Sequence, residues 1–260
     1  MITSRTNDKI KYIEKLKQKS SFRKEEGFFV VEGIRMIREV PDNLRKELYL
    51  TEKALSDHPE LNKWCDNVET VSESVMEKLA DTKTPQGMVA LVRIPEPEYG
   101  AGEGARSGGQ PLYLILDGLQ DPGNTGTLIR TAEAVGATAV FLSRNSADPY
   151  SPKVVRSTMG TIFRVPVRIC DDLPQAIREL KQSGVAVFGT HLAGTDFFAA
   201  DLTGPLAFLI GSEGRGLSEE VAAEADHLLR IPMEGSVESL NAAVSGSVVA
   251  YEAYRQRKCR

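Results

Sequence analysis

The sequence predicts two α/β domains, the second of which is built on an open, mostly parallel β-sheet. Short apolar runs alternate with segments of helical periodicity along residues 111–260, which is the pattern of β–α–β units. Residues 1–95 mix strand and helix patterns less regularly, as small α/β layer sandwiches do. A Gly- and Pro-rich stretch with almost no apolar residues, 96–110, separates them and predicts a flexible linker.

Within residues 1–95 the patterns predict three helices and three strands. The first helix, over 7–19, follows from the helical spacing of Ile10, Ile13 and Leu16. The apolar run at 28–31 predicts a short buried strand. The remaining elements are helices over 33–40 and 74–79 and strands over 48–50 and 87–93.

The second domain begins with a continuous apolar strand over 112–116, which is typical of a parallel sheet covered on both faces. The next helix runs from about Thr125 to Val135 and stops at Gly136. Further strands are predicted over 139–142, 163–167, 185–188, 206–210 and 227–231, with helices over 153–159, 172–182 and 240–257. Ligands of such sheets bind at the loops that follow the strands.

Composition narrows the class of protein. Hydrophobic residues make up 41% of the 260 positions, which is enough for a normal core, and no apolar run predicts a membrane span. The first residues lack the apolar segment of a secretory signal. Cys65, Cys170 and Cys259 are too widely spaced for a disulfide framework or a zinc site. We therefore expect a cytoplasmic protein that needs no metal.

Several common catalytic motifs are absent from the sequence. There is no Gly-x-Gly-x-x-Gly opening the first helix of the second domain, no Walker-type phosphate loop and no His-Glu-x-x-His. The three histidines are isolated, and no serine lies in a nucleophile elbow. These absences disfavour dinucleotide enzymes, nucleotide hydrolases, zinc proteases and serine hydrolases.

Three polar, glycine-rich loops follow predicted strands. In the first, Pro122 and Gly123 favour a tight turn, and Asn124 is placed either to cap the next helix or to enter a site. Arg130 follows six residues later and points to a different helix face, unless Asn124 lies in the cap position. A solvated helix face is the alternative role for Arg130.

The second loop, 211–218, surrounds one acidic residue with three glycines. Glycines let the backbone approach a ligand closely, which makes Glu213 the candidate functional side chain. The alternative is a plain turn before a helix capped by Ser218, which explains the serine and leaves Glu213 unexplained.

The third loop, 231–245, supplies hydroxyl and amide groups beside a helix of small residues. These groups belong to Ser236, Ser239 and Asn241. The alternative is an ordinary C-terminal helix with Ser239 as its N-cap.

Charge is unevenly distributed along the chain. Residues 1–24 carry eight Lys and Arg against two acidic residues, whereas 96–260 carry 15 basic and 20 acidic residues. A basic segment on an acidic body is typical of a polyanion contact, and a solvated amphipathic helix is the alternative.

Together the three loops resemble the motifs of the SpoU (TrmH) family of RNA ribose 2′-O-methyltransferases, within the SPOUT class. The similar segments are 121–132, 211–218 and 231–244, in the family's order, so that the resemblance covers about 111–260. Residues 27–35 resemble the L30e-like substrate-binding extension of some members. One departure is Ala242-Ala243, where relatives often have Val-Ser.

The resemblance implies a fold that periodicity alone does not predict. Members tie the C-terminal segment into a deep trefoil knot, bind S-adenosylmethionine in the knot loops and form homodimers through the terminal helix. The chain would then hold an RNA-binding domain over 1–95 and a knotted methyltransferase domain over 111–260. Ribosomal RNA is the expected substrate, because relatives directed to it carry the extra N-terminal domain, and transfer RNA is the alternative.

By motif position the resemblance places Arg130 at the methyl-acceptor site, with Asn124, Glu213 and Asn241 ordering it. The family proposal makes the arginine a base, but arginine keeps its proton in proteins, so we favour a cation that stabilises the developing alkoxide. The implied cofactor contacts are Thr190, Gly211, Ile231, Met233, Ser239 and Leu240. The candidate RNA contacts are Lys11, Lys15, Lys19 and Arg23.

Two other classes of protein stay open at this point. A non-catalytic RNA-binding protein could use the same fold, although the presence of all four candidate catalytic residues argues against it. A nucleotide-dependent α/β enzyme of another type is disfavoured by the missing phosphate motifs.

Overall fold

The computed structural model describes residues 1–96, 109–237 and 239–259, and the predicted linker lies for the most part outside them. The chain forms two compact units. The first comprises 1–96 together with 148–163, and the second comprises the described residues of 97–147 and 164–260. The sequence prediction placed 148–163 in the second domain, whereas in the structure this segment packs with the first unit.

The described residues contain ten α-helices, ten strands and four short 3-10 helices, the latter at 42–44, 59–63, 161–163 and 197–199. In chain order the others are α1 (Asp8–Gln18), α2 (Ser20–Glu26), β1 (Phe28–Glu32), α3 (Ile34–Glu39), β2 (Arg45–Leu50), α4 (Glu52–Asp57), β3 (Val68–Thr70), α5 (Glu73–Leu79), β4 (Met88–Arg93), β5 (Leu112–Leu116), α6 (Pro122–Ala134), β6 (Ala139–Ser143), α7 (Pro152–Thr158), β7 (Val167–Cys170), α8 (Leu173–Gln182), β8 (Ala186–Asp196), β9 (Leu206–Ile210), α9 (Glu219–Ala222), β10 (His227–Arg230) and α10 (Ala242–Lys258).

The first unit is built on a four-stranded sheet in the order β1-β4-β2-β3. One face packs against α1 and α5 through a cluster that includes Ile10, Ile13 and Leu16, the three residues whose spacing predicted the first helix. Successive strand residues point to opposite faces. Val30 therefore joins this cluster, while Phe29 packs on the other face. The small α/β layer sandwich predicted from the sequence is confirmed.

The segment 148–163 supplies much of the packing on that other face. The ring of Phe29 lies 5.1 Å from that of Tyr150 and 5.9 Å from that of Phe163, measured between centroids. Arg23 of α2 is buried and pairs with Asp148 at 2.5 Å. The segment is thus part of the core of the first unit.

The second unit is built on a six-stranded sheet in the order β10-β8-β9-β5-β6-β7, in which every neighbouring pair is parallel. Every residue of β5, β6 and β9 is buried, as the continuous apolar runs predicted. Helices lie between the strands, so the predicted α/β class with a parallel sheet is confirmed.

Several predicted elements are displaced or were missed. The strand predicted over 163–167 is wrong, because the chain forms a 3-10 turn at 161–163 and the strand begins at Val167. Pro166 has no N–H to donate to a ladder, and the chain becomes a strand only after it. The elements α2, α4 and β3 were not predicted, and β8 extends to Asp196 rather than ending at residue 188.

The terminal helix α10 returns to the middle of the second unit and packs on α6 and β9. A glycine permits this approach: a Cβ on Gly246 would lie 2.6 Å from methyl carbons of both Ile210 and Leu128. The hydroxyls of Thr131 and Ser247 are 2.8 Å apart across the same contact. This return of α10 beneath the strand-end loops is consistent with the trefoil knot that the resemblance implies.

Candidate active site

The loops that follow β5, β9 and β10 meet at one edge of the parallel sheet. Because the strands of a parallel sheet share one direction, their carboxyl ends lie together, and ligands bind there. Asp117, directly after β5, is buried, and its Oδ2 accepts hydrogen bonds from the backbone N–H and the hydroxyl of Ser218, both at 2.7 Å. This pair of bonds ties the loop after β9 to the loop after β5.

The loop 211–218 is held in a tight turn. Ser212 and Gly216 exchange two backbone hydrogen bonds, of 3.0 and 2.9 Å. Gly211 has no room for a side chain, because a Cβ there would lie 2.1 Å from the carbonyl carbon of Gly216. The turn therefore presents Glu213 at a fixed position on its tip.

Glu213 joins the other two loops through their asparagines. Its Oε1 accepts a hydrogen bond from Asn124 Nδ2 at 2.8 Å and another from Asn241 Nδ2. Asn241 Nδ2 also donates to Asn124 Oδ1 at 3.1 Å. Three of the four predicted catalytic side chains thus form one hydrogen-bonded group, which we call the Asn–Glu–Asn cluster (Asn124, Glu213 and Asn241).

The helix caps differ from those considered from sequence. Asp121, not Asn124, caps α6, because its Oδ1 accepts from the backbone N–H of Asn124 at 2.7 Å. Asn241, not Ser239, caps α10, since its Oδ1 accepts from the N–H groups of Ala243 and Val244 at 3.0 and 3.3 Å. Asn124 is therefore free of a capping role, and its side chain serves the cluster.

Ser218 occupies the N-cap position of α9, as predicted, but its side chain makes no capping hydrogen bond. Its hydroxyl is instead directed to Asp117. Asp117 and Asp121 are the two site residues that sequence reasoning did not single out. Both stand within the loop after the first strand of the second domain, so a carboxylate directly after a buried strand was the available signal.

Arg130 lies apart from the Asn–Glu–Asn cluster. Because Asn124 is inside α6 rather than at its cap, the two side chains are separated by six helical positions, which is about 120° around the helix axis. The Arg130 side chain is exposed and forms no hydrogen bond or ion pair with any residue of the described chain. Within one copy of the described chain, no hydrogen bond joins Arg130 to the Asn–Glu–Asn cluster.

The predicted cofactor residues lie on or directly after three adjacent strands. Thr190 is within β8, where its hydroxyl donates to the carbonyl oxygen of Leu209 at 3.1 Å. Gly211 directly follows β9. The others lie in the segment between β10 and α10, namely Ile231, Met233, Ser239 and Leu240. Since β8 lies between β9 and β10, these loops are neighbours at one edge.

The segment between β10 and α10 has free backbone groups. In the part that the structure describes, the N–H and C=O groups of 231–237, 239 and 240 make no hydrogen bond with another backbone group. Such groups can bind the polar edge of a ligand directly. Their availability fits a cofactor held mainly by backbone contacts, as predicted for these residues.

The four predicted RNA contacts have different environments. Lys11, Lys15 and Lys19 are exposed on or just after α1, and Lys11 pairs with Asp8 at 3.0 Å. Arg23 is buried, and besides Asp148 its guanidinium donates to the backbone carbonyls of Leu16 and Lys17. Arg23 therefore has a structural role in the first unit, and its burial disfavours the predicted contact with RNA, which stays a prediction.

Metal-binding clusters and membrane-spanning helices are both absent from the described residues. No group of three or more His, Cys, Asp or Glu side chains there could hold a metal ion. None of the helices in those residues combines the length and the apolarity that crossing a membrane requires.

Comparison with known proteins gives matches to both parts of the chain. The sequence model of the SpoU rRNA Methylase family matches residues 111–251, and that of the MRM3-like substrate binding domain matches 7–90. The 23S rRNA (guanosine(2553)-2'-O)-methyltransferase RlmP of Bacillus subtilis is 33% identical over 254 residues, which is 96% of this chain and 97% of the relative.

Solved structures agree with these matches over nearly the whole chain. The AdoMet-bound rRNA methyltransferase of Sinorhizobium meliloti has a TM-score of 0.84 and 32% identity, and covers 98% of this chain and 97% of its own. The SpoU methyltransferase AviRb of Streptomyces viridochromogenes, in complex with AdoMet, has a TM-score of 0.87 and 28% identity, with 97% and 98% covered.

The fold, the site and these matches together define a methyltransferase of the SPOUT class. The fold contributes the parallel sheet and the returning terminal helix, and the site contributes three strand-end loops joined by the Asn–Glu–Asn cluster. The chain belongs to the SpoU rRNA methylase family, and it is an RNA methyltransferase.

Proposed function

We propose that this enzyme transfers a methyl group from S-adenosylmethionine to a ribose 2′-hydroxyl of ribosomal RNA. The observation that carries the proposal is the Asn–Glu–Asn cluster, because it joins the loops of three separate strand ends into one polar site. Full-length relatives that act on rRNA support the choice of substrate. Residues 1–95 would bind the RNA, and 111–260 would bind the cofactor and hold the reacting groups.

The cofactor supplies an electrophilic methyl group on a sulfonium. Backbone groups at Gly211, Ile231 and Leu240 would hold it, with Thr190, Met233 and Ser239 beside it. The neighbouring strands β8, β9 and β10 and the free backbone groups of 231–237, 239 and 240 support this position. Holding both reactants in line can supply about 7–11 kcal/mol of the barrier.

Loss of the ribose proton is the demanding part of the reaction. A guanidinium keeps its proton in proteins, so we assign Arg130 to stabilise the developing alkoxide and a neighbouring phosphate. Glu213 holds the two asparagine amides in fixed orientations, which preorganises the polar side of the site. Such preorganisation avoids rearrangement during the reaction.

A second copy of the chain would complete the site. A shallow groove of about 380 Å³ runs along α6 and α10, lined by Thr127, Ala243, Val244, Ser247, Val248 and Tyr251. The side chains of Val244 and Tyr251 are about half exposed there, at 48% and 50%. Arg130 lies one helical turn from Thr127. A homodimer that covers this groove would carry the arginine of one copy toward the cluster of the other, in the cytoplasm where rRNA is modified.

The test is methylation of extracted ribosomal RNA by the full chain with methyl-labelled S-adenosylmethionine. After digestion to nucleosides, we expect the label in a 2′-O-methylnucleoside. Asn124→Ala should lower the rate by about 10²–10³ while thermal unfolding stays unchanged, because the cluster acts on the reaction. Label in a methylated base, or no label with folded protein that binds the cofactor, would contradict the proposal.

A further inference from the structure

Many of the cationic side chains near the N-terminus make hydrogen bonds or ion pairs within the first unit. Lys17 donates to three carbonyl oxygens at the end of α5, at 2.8 to 3.1 Å, and burial lowers the pKa of its ammonium group. Other cations pair with carboxylates and so cannot neutralise phosphates without losing a partner. These pairs are Lys9 with Glu69 at 2.6 Å, Lys11 with Asp8 at 3.0 Å, Arg23 with Asp148 at 2.5 Å and Lys78 with Glu14 at 2.7 Å.

Three further cations lie over aromatic rings instead. The ammonium of Lys15 is 3.6 Å from the ring centroid of Phe22. The guanidinium carbon of Arg93 and the ammonium of Lys46 lie 5.5 and 5.9 Å from the ring centroid of Phe28. Within the described chain, none of these three cations forms an ion pair. Their charge is therefore available to a ligand.

The topology brings two of these cations to one end of the sheet. Phe28 faces Arg93 across the β1–β4 pair, and β2, which carries Lys46 at a register shift, lies on the other side of β4. Phe28 also packs against the margin of the core cluster of the first unit. We call the group formed by Phe28, Lys46 and Arg93 the aromatic–cation surface.

Two carboxylates close in sequence to this surface make hydrogen bonds to tyrosine hydroxyls rather than ion pairs with its cations. Glu26 accepts a hydrogen bond from the hydroxyl of Tyr12 at 2.9 Å, and Glu47 accepts one from that of Tyr49. The surface thus combines unpaired positive charge with a half-buried ring. That combination suits a polyanion whose planar groups are exposed.

We propose that the aromatic–cation surface binds unpaired nucleotides of the RNA substrate. A nucleobase can stack on the Phe28 ring or on the guanidinium plane of Arg93, and the charges of Lys46 and Arg93 can neutralise the adjoining phosphates. A continuous duplex hides its bases and offers only phosphates. This inference rests on the proposed function for the nature of the ligand, and it specifies a single-stranded or loop segment as the substrate element.

The experiment measures binding of the full chain to a labelled 20-nucleotide unstructured oligo(A) RNA and to a 20-base-pair RNA duplex, over a range of salt concentrations. Lys46→Gln with Arg93→Gln should weaken oligo(A) binding about tenfold at 0.1 M salt and reduce the salt slope by about 1.4, or about 0.7 per phosphate contact. The control, Lys53→Gln with Lys63→Gln, removes the same charge from exposed positions elsewhere in the unit and should change the slope by much less.

A second variant separates stacking from charge. Phe28→Leu keeps an apolar side chain for packing and should weaken oligo(A) binding about 5- to 100-fold, the size of one base–aromatic stack, with an unchanged salt slope and unchanged duplex binding. Cofactor binding and thermal unfolding of every variant should match the unmodified protein. The inference is overturned if the two double variants change oligo(A) binding and its salt slope equally. It is also overturned if Phe28→Leu leaves the binding of both RNAs unchanged, or weakens the binding of both equally. Failure of the methylation assay with intact oligo(A) binding would instead overturn the proposed function alone.

Discussion

At the scale of single residues, Arg130 is the side chain that we assign to stabilise the reacting oxygen. Its side chain is exposed and without a partner in the described chain, so its charge is available to the substrate. Arg130→Ala should cost about 3 kcal/mol or more of transition-state stabilisation, which is roughly 10²–10³ in rate. Cofactor binding should hold, because the cofactor contacts are proposed to be backbone groups.

Arg130→Lys distinguishes electrostatic stabilisation from a base role. Lysine keeps the charge and loses the planar fork, so weak activity that varies little with pH fits stabilisation of an alkoxide. A base role would make the rate of this variant rise steeply as the amine deprotonates. The measurement is a pH–rate profile for each variant, with thermal unfolding as the check on folding. Wild-type rates in a folded Arg130→Ala protein would remove the residue from the mechanism.

Replacing Arg23 tests whether its ion pair with Asp148 stabilises the first unit. Its side chain is 5% exposed and that of Asp148 is 15% exposed, so Arg23→Gln leaves a buried carboxylate without its cation. We expect a loss of about 3–5 kcal/mol in unfolding free energy, measured by urea denaturation. The matched control is Arg38→Gln, whose pair with Glu60 is 59% and 54% exposed and should cost far less, because exposed ion pairs are screened by solvent. Equal losses would contradict the burial argument.

The residues of the site were predictable from sequence to a large extent, but their partners were not. The resemblance to the family motifs assigned Asn124, Glu213 and Asn241 to one site, and the structure joins their side chains. Which residue caps α6 could not be decided, because Asp121 and Asn124 are both good caps and the choice depends on where the backbone turns. The burial of Arg23 depends on Asp148, 125 residues away, and no local pattern reports such a contact.

At the scale of elements, the contact of α10 with α6 and β9 depends on one small residue. A Cβ at Gly246 would lie 2.6 Å from buried methyl groups of Ile210 and Leu128. Gly246→Ala gains about 1 kcal/mol in helix propensity but overpacks the contact by about 1–3 kcal/mol, so that a net loss of up to about 2 kcal/mol is expected. Gly204→Ala, where nothing lies within 4 Å, is the control and should be close to neutral. Thermal unfolding measures the stability of both variants against the unmodified protein. A Gly246→Ala protein that is more stable than the unmodified one would show that the contact has room for a methyl group.

Elements defined by strong local patterns were predicted well, and those defined by distant packing were not. The strands β5 and β9 match their apolar runs at both ends, because burial on both faces requires continuous apolar sequence. The short helices α2 and α4 have only seven and six residues, too few for a clear period. The extension of β8 to Asp196 is polar and follows from its pairing with β10.

At the scale of the whole molecule, the segment 148–163 complicates the separation of the two units by truncation, because it belongs to the first unit but lies within the sequence of the second. A chain that starts near Gln110 retains all three site loops and should still bind S-adenosylmethionine. It also retains 148–163, whose buried residues Tyr150, Val154 and Val155 belong to the first unit. Sequence could not reveal this, because the segment lies between elements of the second unit. The truncation should therefore be assayed with Tyr150 and Val154 replaced by Ser, to avoid aggregation.

The central claim is that the Asn–Glu–Asn cluster of one copy works with Arg130 of a second copy. Its most direct test is co-expression of Arg130→Ala with Asn124→Ala, each inactive alone, followed by assay of the purified mixture. If the site is shared, each heterodimer has one intact site, and half of the dimers are heterodimers, so that about one quarter of wild-type activity returns. If activity in the mixture stays at the level of the separate variants while heterodimers are present, Arg130 does not act across the dimer, and the account of the site is contradicted.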